Sequence, residues 1–124
     1  MIGLGTRATK VFAYPAPVDL RKGYDGLAGL VTTGLQHNVL DGALFLFVGR
    51  TRTSCKILHW DGTGLCLFAK RLERGRFAAL WPSAASTGTS LPPVVTLSAS
   101  ELALFVEGCT LVGKQPLTPA ALRF

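Results

Sequence analysis

Acidic side chains are scarce in this chain and never clustered. Seven Asp and Glu stand among 124 residues, against thirteen Lys and Arg. They stand singly, so the paired carboxylates of acid–base catalysis are not expected and the chain reads as no enzyme. Histidine and cysteine are equally sparse. Two histidines and three cysteines (Cys55, Cys66, Cys109) form no Cys-x-x-Cys or His-x-x-x-His pair, so neither metal nor cofactor is expected. An odd cysteine count without repeated spacing is no disulfide framework. No glycine loop ends in Gly-Lys-Ser/Thr, the pattern that cradles nucleotide phosphates. No apolar run approaches the roughly 18 residues of a membrane-spanning helix. Met1–Lys10 carries no unbroken apolar stretch behind a basic start, so no secretory signal is read and a cytoplasmic location is expected.

What is present is apolar residue and positive charge. Apolar residues make up 48% of the chain, ample for a core, and charged residues only 16%, too few for a disordered polymer. The length fits one domain spanning 1–124. Its core is expected over about 11–109, with 1–10 and 114–124 as loose ends. Between Arg50 and Arg76 seven cations face two acids, a net +5 out of the chain's +6. A small domain with a basic, strand-rich centre implies a polyanionic partner without naming it.

The pattern of the chain predicts an α+β fold, a mostly antiparallel β-meander packed with two helices. Val11–Tyr14 reads as a short strand stopped by Pro15 and Pro17. Asp19 to about Leu35 reads as a helix capped by Asp19, with Leu20, Tyr24, Leu27, Val31 and Leu35 on one face. Gly23, Gly26 and Gly29 weaken that helix or let it approach a sheet closely. Ala43–Val48 is apolar throughout and suits a strand buried on both sides. Cys55–Trp60 and Leu65–Lys70 flank Asp61-Gly62-Thr63-Gly64, a hairpin signal that sets Trp60 opposite Leu65, Ile57 opposite Phe68 and Cys55 opposite Lys70. Arg74–Leu80 suits a strand or a turn, Ser83–Pro93 a loop, and Val94–Leu97 a short strand. Ser98 with Glu101 forms a capping box, and Leu97 with Leu102 a hydrophobic staple, for a helix stopped by Gly108.

Two basic blocks are candidates for binding phosphate. Arg21 and Lys22 fall in the expected first helical turn, where backbone N–H groups already attract anions. The alternative is that Asp19 and Asp25 neutralise them. Lys70, Arg71, Arg74 and Arg76 follow a strand directly, and Arg50, Arg52 and Lys56 lie close in any hairpin arrangement. The alternative there is a charged sheet edge that discourages aggregation. The aromatics Phe45, Phe47, Trp60, Phe68 and Phe77 read as core rather than as base-stacking platforms. Asp25, Asp41 and Asp61 each precede a glycine, first of all a turn signature. Their meeting in space around a metal is the other reading.

The segments Asp19-Leu-Arg-Lys-Gly-Tyr-Asp-Gly-Leu27, Leu44-Phe-Leu-Phe47 and Lys56-Ile-Leu-His-Trp-Asp-Gly-Thr-Gly-Leu-Cys-Leu-Phe-Ala-Lys-Arg-Leu-Glu-Arg-Gly-Arg-Phe77 resemble one known family. It is the family of small accessory proteins, called TnpB, encoded by the second open reading frame of IS66-type insertion sequences. The likeness runs from about Val11 to Gly108. It implies a protein needed for transposition beside a larger transposase that carries the strand-transfer chemistry. DNA, at the ends of the insertion sequence, is the partner it implies, together with the transposase and other element-encoded proteins. An adaptor that binds those proteins without touching DNA is the alternative. The family carries no agreed catalytic residues to transfer. Ala78-Ala79-Leu80, intervening before Trp81-Pro82, and the tail after Gly108 depart from the family pattern.

Overall fold

The chain is seen here in a computed structural model, which describes residues 10–81 and 95–108. The expected loose ends, Ser83–Pro93 and Cys109 lie outside the described residues, apart from Lys10. The sequence of elements is β1 (Val11–Ala13), α1 (Tyr24–Gly34), β2 (Leu44–Val48), β3 (Ser54–Trp60), β4 (Leu65–Arg71), β5 (Val95–Leu97) and α2 (Ala99–Val106). A single turn of 3-10 helix at Val39–Asp41 leads into β2. The α+β expectation holds: among the described residues five strands form one sheet in the order β4-β3-β2-β1-β5. No helix among the described residues is long and apolar enough to cross a membrane.

Three of the strand pairs are antiparallel, but β1 runs parallel to β2, with Val11 beside Leu44. A parallel neighbour needs a crossover, and α1 lies within it. The crossover puts α1 over one face of the sheet. There Leu27, Val31 and Leu35 pack on Phe45, Phe47 and Leu58. The opposite face receives α2, whose Leu102 and Phe105 pack with Leu44, Leu46, Val48, Ile57 and Phe77. All five residues of β2 are fully buried, which explains why its sequence is continuously apolar rather than alternating.

The hairpin follows its turn. Trp60 pairs Leu65, Ile57 pairs Phe68 and Cys55 pairs Lys70, as the Asp-Gly loop implies. Asp61 Oδ1 accepts from the backbone N–H groups of Thr63 and Gly64 at 2.9 and 3.0 Å, and Gly62 takes the left-handed φ of 106° that closes the loop. The capping box of α2 is present in both directions. Arg74–Leu80 forms no strand, yet Phe77, Ala78 and Leu80 are buried, so the segment is a coil that plugs the α2 side.

The start of the first helix is a correction. α1 begins at Tyr24, not at Asp19, and its N-cap is Gly23. Asp19 uses its carboxylate on a tight turn, accepting from the Arg21 N–H at 3.0 Å. An Asx turn and a helix cap draw on the same acceptor, so the sequence does not separate them. The glycine that permits close packing is also a different one. A Cβ at Gly34 would meet the Tyr14 ring at 2.7 Å, whereas positions 23 and 29 face open space.

Phe47→Ala is expected to cost about 3–5 kcal/mol in denaturant unfolding, since it leaves a cavity in a strand with no solvent-facing side. A cost under about 1 kcal/mol would show that the position is not dry core. The Asp61 carboxyl is held down at about 2 by the backbone N–H groups of Thr63 and Gly64, then by the Thr63 hydroxyl and the Cys66 thiol. Its contribution to stability is therefore complete above its usual value of 3.8 and lost as pH falls through about 2. Asp61→Asn keeps an acceptor oxygen but removes the titration, and should flatten the acid limb of the stability curve over that window.

Candidate nucleic-acid interface

The strand order decides where the cations go. The C-terminal ends of β1, β2 and β4 and the N-terminal end of β3 share one end of the sheet. Three connections meet there. Val18 N–H donates to the Val48 carbonyl at 3.0 Å, so the loop that carries Arg21 and Lys22 is laid along the end of β2. The β2–β3 loop carries Arg50 and Arg52. The coil after β4 carries Arg74 and Arg76, and it is stitched to the β2–β3 loop by Leu72 N–H to Thr53 O at 2.8 Å and Phe77 N–H to Arg52 O at 2.7 Å. Asp41 and Asp61 lie at the opposite end of the sheet, where β2 starts and β3 finishes.

Leu20 organises this cationic end. Its side chain lies over Gly49, where an added Cβ would stand 3.3 Å away. Leu20 and Ser54 together form the wall shared by two adjoining clefts. One is lined by Asp19, Arg21, Arg50 and Thr51, the other by Lys56, Ala69 and Arg71. Alternation along the strands puts Lys56 and Arg71 on the α1 face and Lys70 on the α2 face. Thr51 and Ser54 were not picked out from the sequence. The run Thr51-Arg52-Thr53-Ser54, small hydroxyl residues interleaved with cations, is the signal that could have found them.

Several of these cations already have acceptors within the protein. Lys70 Nζ donates to the Val106 carbonyl in the last turn of α2 at 2.7 Å, a cation at the negative end of a helix. Arg52 takes a left-handed φ of 62°, and its guanidinium donates to the Phe77 carbonyl at 3.2 Å. Lys56 Nζ donates to the Lys22 carbonyl at 3.2 Å, tying the entry of α1 to β3. Arg21 grips Asp19 through Nε and Nη2, at 3.0 and 2.8 Å. That pair holds the Asp19 carboxyl well below the usual range, chiefly through the Arg21 hydrogen bonds. The Arg21 side chain is 91% exposed, so water screens the pair and it stabilises little.

Arg21 and Lys22 do not lie in the first turn of α1, as the sequence suggested, because the helix starts beyond them. For Lys22, Arg50, Arg71, Arg74 and Arg76 no side-chain acceptor exists among the described residues. The aspartates weighed as metal ligands do not form a cluster: among the described residues no group of three His, Cys, Asp or Glu is close enough to hold an ion. Asp61 serves its turn, and Asp41 accepts from the Ala43 N–H at 3.0 Å. Burial pushes the Cys55 thiol up to about 12, which makes it a poor nucleophile.

Two relatives and one family match this chain. Residues 9–116 match the family described as IS66 Orf2-like protein. The uncharacterized protein y4hO of Sinorhizobium fredii is 43% identical over 84 residues, which is 68% of this chain and 71% of that protein. The uncharacterized protein y4jC of the same organism is 31% identical over 123 residues, 94% of each chain. No solved structure matches.

Lys70→Met should lower stability by about 1 kcal/mol, because it removes the charged cap from α2. Arg74→Ala, on the exposed coil, should change stability by less than about 0.5 kcal/mol. Thermal melts of both variants check the division between structural and surface cations, and equal losses would erase it.

Proposed function

The chain belongs to the IS66 Orf2-like family, and from that premise we propose that it serves transposition as a non-enzymatic accessory factor that holds DNA on its cationic end. The observation that carries this reading is the convergence of Lys22, Arg50, Arg71, Arg74 and Arg76 from separated segments onto one end of the sheet, away from Asp41 and Asp61. A phosphate backbone is a line of charge, and it is met best by cations whose donors are not already engaged. Arg50 and Arg71 line the two clefts that share Leu20 and Ser54, with Thr51 on the Arg50 side. Arg21 shares its charge with Asp19, so it contributes less while that pair holds. Lys70 and Arg52 act from beneath, by fixing α2 and the coil that presents Arg74 and Arg76. The ends of the insertion sequence are the natural target, and the transposase that acts there the natural companion.

The test is binding of duplex DNA carrying the element ends, and of random duplex, at a series of salt concentrations. Log affinity should fall linearly with log salt, by about 0.9 for each phosphate neutralised. Arg74→Ala and Arg76→Ala should each reduce that slope by about 1 and weaken all sequences alike. Asp19→Asn, which releases Arg21, should strengthen binding. Weak binding that ignores salt, together with capture of the purified transposase in the absence of DNA, would replace this reading with that of a protein adaptor.

A further inference from the structure

We propose that β4 is the contact strand of a symmetric dimer, in which two copies join edge to edge into one continuous sheet. β4 ends the strand order, and among the described residues nothing pairs with its outer side. Natural edges of this kind are shortened, bulged or charged along their length. This one has seven residues in unbroken register with β3, and five of them, Leu65-Cys66-Leu67-Phe68-Ala69, are apolar. Its only charges, Lys70 and Arg71, sit at one end.

The hydrogen-bond pattern names the partner. Asp61 N–H donates to the Gly64 carbonyl and Leu72 N–H to the Thr53 carbonyl. Bonded and non-bonded pairs alternate between these two points. Cys66, Phe68 and Lys70 therefore bond inward to β3, while Leu65, Leu67, Ala69 and Arg71 present their N–H and C=O groups outward. Antiparallel pairing of β4 with a second β4 about Phe68 is the one register that uses all seven residues of both strands. In it Leu67 meets Ala69 and Leu65 meets Arg71, so all four outward-facing residues bond. Phe68 meets its own copy at a non-bonded position, where cross-strand side chains come closest.

Charge selects the same arrangement. The strand is preceded by Asp61, ends in Lys70 and Arg71, and is followed by Glu73 and Arg74. Antiparallel pairing lays the basic end of each copy against the acidic turn of the other. Lys70 then stands opposite Cys66, whose thiol lies 3.5 Å from Asp61 Oδ2. Parallel stacking of two copies would instead press the cations together. The two cationic ends of the dimer point in opposite directions along the joined sheet.

Sedimentation equilibrium of the full chain should give twice 13.2 kDa, with slow hydrogen exchange at the Leu67 and Ala69 amides. Ala69→Pro removes an outward N–H and leaves the β3 ladder intact, so it should sediment as a folded monomer. Leu65 provides a second arm that does not depend on proline. Leu65→Glu sets an acid opposite Arg71 of the other copy, and Leu65→Arg sets a cation there. The first should dimerise at least about fivefold more tightly than the second. A monomeric wild type overturns the proposal, whether or not those amides are protected, since protection in a monomer means that the chain covers its own edge. A dimer that survives Ala69→Pro, or equal affinity of the two Leu65 variants, overturns it as well.

Discussion

Burial of β2 on both faces is the constraint from which the rest of the molecule follows. Leu44, Leu46 and Val48 face α2, and Phe45 and Phe47 face α1, with no exposed side chain among them. A strand like this cannot lie at an edge, nor in a sheet with one wet face. It needs strands on both flanks and a helix on each side. β3 supplies one flank through a short loop. β1 supplies the other, and since it runs parallel the chain must cross over, which brings α1 onto the sheet. The flat apolar run thus dictates the layers, and the layers decide which loops share an end.

The basic surface is a by-product of that order. Its cations come from the loop before α1, the β2–β3 loop, the last residue of β4 and the coil after it, which meet because the strand ends coincide. Part of the positive charge is turned inward, on backbone carbonyls at Val106, Phe77 and Lys22. These bonds give the loops a defined shape without an acid partner, so the net charge of the end is preserved. A salt bridge in the same places would fix the loops equally well and cancel the field.

Local features were legible in the sequence, and non-local ones were not. The Asp-Gly turn sets the hairpin register because loop length and side-chain period leave no freedom. Ser98 and Glu101 declare α2 because both halves of the box lie in one turn. The α1 start was misplaced because Asp19 signals an accepted N–H without saying whose structure it belongs to. The parallel pairing of β1 has no signal within Val11–Ala13, since direction is decided by the crossover. Among the candidate site residues, the charge run was visible but the division of labour was not. Lys70 and Arg71 are neighbours in sequence, yet strand alternation puts them on opposite faces of the sheet, Lys70 bonded to the Val106 carbonyl under α2 and Arg71 on the α1 side. An acceptor that is a backbone carbonyl leaves no mark in the sequence.

The crossover between β1 and β2 also orders events at the ribosome. Among the described residues β1 pairs only with β2 and β5, both made after it, and β5 pairs only with β1. The first part of the sheet that can close during synthesis is β2–β3–β4, whose strands follow one another through short loops. β1, although made before them, is therefore seated after the strands of that unit can already have closed.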